Sequence, residues 1–231
     1  MLSNVKRKGV AMSTFLKRVF GYMFGAVGLS AVTAYATLRW GLPLVFNEDG
    51  LTPFFYIAMF GGLGLSIFAQ ARAFSMRPAV GGFLLGVYAV LMGFVMTPLI
   101  AVSLAVNPAS ILQAFFIASL MFGCMALFGY KTVKDLSFLG IFLFIGMIGL
   151  LITGFVSMIW PLGSTAATIM SAVGVLVFAL FTAYDMQFLK TAFKSVDKTE
   201  AGQLAVLGAL HLYISFIAMF QYVLSLLNNN R

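Results

Sequence analysis

Apolar runs of about membrane length recur along the chain, each closed by a short polar break. Windows of about 20 residues placed on those runs predict seven helices, at 20–42, 53–72, 80–103, 109–130, 136–159, 165–189 and 203–227. The breaks carry turn chemistry: Asn47-Glu48-Asp49-Gly50, Arg77-Pro78, Asn107-Pro108, Lys131 to Asp135, and Trp160-Pro161-Leu162-Gly163. Lys190 to Gln203 is the longest polar stretch and has room for a short interfacial helix. The pattern predicts an all-α integral membrane protein with seven transmembrane helices, a single bundle over 20–231 preceded by a basic arm at 1–19.

Composition agrees with the pattern. Hydrophobic residues make up 62% of the chain and charged residues 9%, whereas a soluble domain carries about a quarter charged residues to cover its surface. The formal charge of +8 does not mark a nucleic-acid binder, because the basic residues sit in the breaks and form no patch with a binding motif. Their expected partner is the anionic headgroup layer of the lipid bilayer.

The basic residues also orient the chain. Twelve of the fourteen fall in the N-terminal arm (Lys6, Arg7, Lys8, Lys17, Arg18) and in alternate breaks (Arg72, Arg77; Lys131, Lys134; Lys190, Lys194, Lys198). The other side holds only Arg39 and Arg231, beside Glu48 and Asp49. Basic loops collect on the cytoplasmic side, so the N-terminus is expected in the cytoplasm and the C-terminus outside. The arm resembles the n-region of a signal peptide, but the run 20–42 is too long for a signal core and is expected to stay as the first helix. The single Cys124 allows no intrachain disulfide and no cysteine-rich metal site. Gly61, Gly62, Gly64, Gly140, Gly146 and Gly149 allow close helix approach or a hinge.

An ionisable side chain at membrane depth costs about 2.5–3.5 kcal/mol on insertion scales, so each one needs a reason. Asp185 lies near the cytoplasmic end of the sixth helix, about a turn before Lys190. Either it reaches water and pairs with a lysine, or it is a buried titratable carboxylate that meets a cation, with Arg72 a candidate partner. His211, the only histidine, lies in the seventh helix with Ser215 one turn further on the same face. It is either an interhelical hydrogen-bonding group or a pH-sensitive element. Gln70, Gln187 and Gln221 suit interhelical hydrogen bonds.

Enzyme chemistry finds little footing. Gly163-Ser164 lacks a following glycine and has its only histidine on another helix, a lone carboxylate at depth makes no aspartyl pair, and no HExxH occurs. The seventh helix has no lysine for a Schiff base. No catalytic residue and no cofactor is expected.

Several segments resemble the transmembrane Bax inhibitor motif family in its bacterial form. They are AFFIASLMFGCMALFGYKTVKDL (114–136), FTAYDMQFLK (181–190), LHLYISFIAMFQYVLSLL (210–227) and VLMGFVMTPL in the third helix. The resemblance implies seven helices with the last enclosed by the other six, a bacterial inner-membrane location, and a calcium leak that responds to pH. It implies a carboxylate pair from the sixth and seventh helices near the cytoplasmic mouth, with an arginine of the second helix as partner. Asp185 matches the first carboxylate, which would meet calcium in passing, and Arg72 stands near the arginine. Where the family has the second aspartate this chain has Ser215, and Ala218 replaces an asparagine. A carboxylate beside a serine cannot share one proton as two carboxylates do. His211, one turn toward the cytoplasm, is expected to substitute, since a protonated imidazole would repel calcium. The resemblance implies an alternative as well: a regulatory protein without a pore, acting on a membrane-bound AAA+ quality-control protease.

Overall fold

Inside a bilayer an apolar run has no hydrogen-bond partner for its backbone except itself, so each run closes into a helix. The computed structural model describes residues 2–48, 50–197 and 200–229, with side chains described from residue 12 onward. The side chains of Lys6, Arg7 and Lys8, and all of Asp49, Lys198 and Arg231, therefore lie outside the described residues. The elements are α1 (Leu2–Trp40), α2 (Leu42–Val45), β1 (Phe46–Asn47), β2 (Gly50–Leu51), α3 (Pro53–Ala71), α4 (Pro78–Val95), α5 (Thr97–Val106), α6 (Ala109–Lys131), α7 (Ser137–Ile159), α8 (Ser164–Ser195) and α9 (Glu200–Asn229). Seven helical stretches among the described residues are long and apolar enough to cross a bilayer, with α4 and α5 together forming the third.

Three boundaries differ from the sequence expectation. α1 begins at Leu2, so the basic arm is helical; Lys, Arg, Met and Ala are good helix formers and need no apolar face. The third span is interrupted at Met96, between α4 and α5, just before Pro98, which has no N–H to give and whose ring crowds the preceding turn. The polar stretch 190–203 holds no separate helix among its described residues: α8 runs on to Ser195 and α9 starts at Glu200. Lys194 in the last turn of α8 and Glu200 in the first turn of α9 both suit the helix dipole.

The first break is more ordered than a plain turn. β1 and β2 form a two-residue antiparallel ribbon pairing Phe46 with Leu51 and Asn47 with Gly50. Gly50 has φ of +123°, a backbone region that side chains rarely tolerate. Thr52 then caps α3 by accepting the Phe55 N–H at 3.1 Å.

The chain divides into two compact units. The first, residues 1–98 and 189–213, contains α1 to α4 with the end of α8 and the first half of α9. Its core buries Val19, Met23 and Ala26 of α1, Leu85 and Ala89 of α4, and Leu204 to Leu212 of α9, His211 apart. Gly93 of α4 lies against the backbone of Ser30, so α1 and α4 touch main chain to main chain. The second unit, residues 99–188 and 214–231, contains α5 to α7, most of α8 and the rest of α9. Ala114, Ala118, Phe122 and Ala126 recur every fourth residue as the buried stripe of α6. Phe122 meets Phe216 of α9 edge-on at 5.5 Å, and Phe178 of α8 stacks with Tyr222 at 5.9 Å. α9 is the enclosed helix: 83% of its most apolar window is buried, against 11–39% in the other six spans.

Candidate functional site

Phe178, Thr182, Asp185 and Leu189 recur at helical spacing on α8, and all four are buried. The period of the helix thus carries the carboxylate of Asp185 inward, leaving the residue 6% exposed. On α9, Leu212, Ser215 and Met219 form the corresponding buried stripe. Ser215 Oγ donates to Asp185 Oδ2 at 3.3 Å. A carboxylate removed from water needs such donors, and an ionised one is a hard oxygen ligand suited to a hard cation. Among the described residues no three His, Cys, Asp or Glu side chains gather as a metal cluster.

His211, in the α9 half of the first unit, meets Gln70 of α3, with Nε2 and Oε1 3.1 Å apart. Gln70 Nε2 donates to the Ser66 carbonyl at 3.2 Å, so Gln70 Oε1 is free to accept. The network therefore places an N–H on Nε2 of the ring. Two residues on, the Tyr213 hydroxyl lies 2.5 Å from Ser30 Oγ, which also reaches the Ala89 carbonyl at 2.9 Å. Ser30 of α1 thereby links Tyr213 of α9 to the Ala89 carbonyl of α4. Arg72 is the C-cap of α3 and exposed, its N–H bonded to the Phe68 carbonyl at 3.0 Å.

Glutamines tie down two of the breaks. Gln187 accepts the Leu136 N–H at 2.7 Å and donates to the Lys134 carbonyl at 2.6 Å, gripping the α6–α7 link. Gln203 donates to the carbonyls of Phe74 and Met76 at 3.1 and 2.8 Å, doing the same for the α3–α4 link. In the first of these links the Ser137 hydroxyl and N–H hold the Asp135 carboxyl below its ordinary pKa.

Sequence reasoning did not single out a second polar set, at the far end of α9. Asn228 Nδ2 donates to Ser103 Oγ at 2.8 Å, Ser110 Oγ lies 3.3 Å from Asn228 Oδ1, and the Ser171 and Ser225 hydroxyls are 3.1 Å apart. The available signal was weak. Ser225 and Asn228 stand three residues apart on one helix face, but single serines near span ends are ordinary.

These features define a multi-pass helical membrane protein that keeps a carboxylate inside its helices. The sequence model of the family described as "Inhibitor of apoptosis-promoting Bax1" matches residues 12–231. The inner membrane protein YbhL of Escherichia coli (strain K12) is 31% identical over 225 residues, covering 95% of this chain and 93% of that protein. An uncharacterised protein of Rickettsia prowazekii (strain Madrid E) is 32% identical over 218 residues, 94% of this chain and 90% of its own. A Caulobacter vibrioides protein is 35% identical over 184 residues, covering 79% and 72%. The chain belongs to the Bax1 inhibitor family.

Proposed function

We propose that the protein is a pH-sensitive cation leak of the bacterial inner membrane, with calcium as the ion carried and no enzymatic activity. The observation that carries this proposal is the buried Asp185 carboxylate, partnered by the Ser215 hydroxyl between two membrane-spanning helices. A charge kept at such cost inside a bundle marks an ion path more often than a structural contact. Ionised, Asp185 attracts a divalent cation; protonated, it loses that attraction. His211 adds a second response, since its imidazolium would oppose cation entry. The basic residues of the arm and of alternate breaks support a cytoplasmic N-terminus and an outer C-terminus. Membership of the family and the location named for the Escherichia coli relative support the inner membrane.

Calcium entry into vesicles containing the purified chain tests this, between about pH 5 and 8 where histidine titrates. The wild type is expected to conduct with a pH-dependent rate and Asp185→Asn to lose the flux. His211→Ala is expected to change the pH profile while retaining conduction. A wild type that carries no ion but co-purifies with a membrane-anchored AAA+ protease would replace this proposal with the regulatory one.

A further inference from the structure

The leak needs a route beyond Asp185, and in the second unit the length of α9 past Ser215 is lined by apolar side chains. From Ser215, α9 continues for about 20 Å to Asn228 at the usual rise per residue. Along that length Phe216, Met219, Phe220 and Val223 are buried, and Phe115 lies edge-on to both Phe216 and Phe220. The apolar column ends at the second polar set. There Asn228 donates to Ser103 of α5, and Ser103 passes its own proton to the Leu99 carbonyl at 2.7 Å. Ser110 of α6 reaches Asn228 Oδ1, and Ser171 of α8 reaches Ser225. Ser103, Ser110 and Ser171 are 0–3% exposed, so these contacts are shielded from competing water. They bind the end of α9 to three other helices.

Two properties of this set matter. Interhelical hydrogen bonds in bilayers are individually weak, so a handful of them can hold a helix end and still release it. Hydroxyls and amides do not ionise in the working pH range, so the set cannot sense protons. The adjacent Asn229 Nδ2 is buried and unpaired among the described residues, a cost of the closed arrangement that release would relieve.

We infer that Ser103, Ser110, Ser171, Ser225 and Asn228 form a non-titrating catch that holds the far end of α9 closed, a gate in series with the titrating Asp185. This rests on the leak proposal. Acid and base set whether Asp185 admits a cation, while the catch sets how often the apolar column parts to let it through.

Vesicles of phosphatidylethanolamine and phosphatidylglycerol loaded with a calcium-sensitive dye test the catch, using the full chain across about pH 5 to 8. Asn228→Ala and Ser103→Ala are expected to raise the leak roughly three- to tenfold at every pH, as expected for losing one or two interhelical hydrogen bonds. The pH midpoint should not move. In a Cys124→Ala background, Ser171→Cys with Ser225→Cys is expected to cut the leak at least tenfold when oxidised, and to recover it on reduction. A conducting wild type whose single variants stay within twofold, and whose oxidised cysteine pair still conducts, overturns the catch and leaves the leak standing. A shifted midpoint without a faster leak overturns the catch as well. No flux from any of the proteins overturns both.

Discussion

Ser215 donates its hydroxyl proton to Asp185 Oδ2 across 3.3 Å, linking α9 to α8. A hydroxyl can orient and partly compensate a carboxylate, but it does not titrate with it. Replacing Ser215→Asp is expected to split the acid response into two coupled steps and so broaden the flux–pH curve. Ser215→Ala is expected to keep the shape of the wild-type curve with a displaced midpoint. Vesicle calcium flux measured at closely spaced pH values distinguishes the two; identical curves for both variants and the wild type would remove Ser215 from the mechanism.

A Cβ added at Gly129 of α6 would collide with the backbone carbonyl of Ala183 on α8, while one added at Gly149 of α7 would meet nothing within 4 Å. Backbone cannot swing aside as a side-chain tip can. Gly129→Ala is expected to cost about 1–3 kcal/mol or more through overpacking. Gly149→Ala is expected to be neutral, or stabilising by up to about 1 kcal/mol through helix propensity. Unfolding of both variants in one detergent gives the comparison, and equal losses would contradict the close α6–α8 contact.

Gln187 serves as both acceptor and donor for the link between α6 and α7. Gln187→Leu fills similar space but leaves the N–H of the buried Leu136 without its acceptor, an expected cost of about 1–3 kcal/mol. Hydrogen exchange across residues 132–136 should rise markedly in this variant while exchange in the middle of α6 and α7 stays as in the wild type.

Asp135 lies outside the spans, in the link between α6 and α7. Its carboxyl is held below its ordinary pKa by the hydroxyl and N–H of Ser137. A depressed folded-state pKa contributes stability that is complete above the unfolded value, about pH 4, and fades as pH falls through the folded value. Asp135→Asn is therefore expected to remove part of the loss of thermal stability on acidification below that pH. The contribution is small because the group is fully exposed to solvent.

The spans were readable because the bilayer imposes one rule on every residue of a segment: length and apolarity alone decide whether it crosses. Even a span interrupted at Met96 was counted, since hydropathy ignores a local break. Asp185 was readable for the complementary reason, as an exception to that rule. The partners were not. His211 and Ser215 share a helix face in the sequence, but which side chains meet them depends on how other helices pack, and the structure gives Gln70 to one and Asp185 to the other. Ser103, Ser110, Ser171, Ser225 and Asn228 escaped because neutral polar residues cost too little at span ends to look anomalous one at a time.

By itself the sequence determined that the chain is a seven-span membrane protein with an aspartate in its sixth span, because solvent transfer acts on each residue separately and sums along the chain. Only the tertiary structure decided that α9 is the helix with 83% of its apolar window buried, that Asp185 faces a serine, and that the far end of α9 is tied to three neighbours. Those facts belong to hydrogen bonds and close contacts between residues distant in sequence, whose energy depends on distance and direction and so does not exist until the helices have packed.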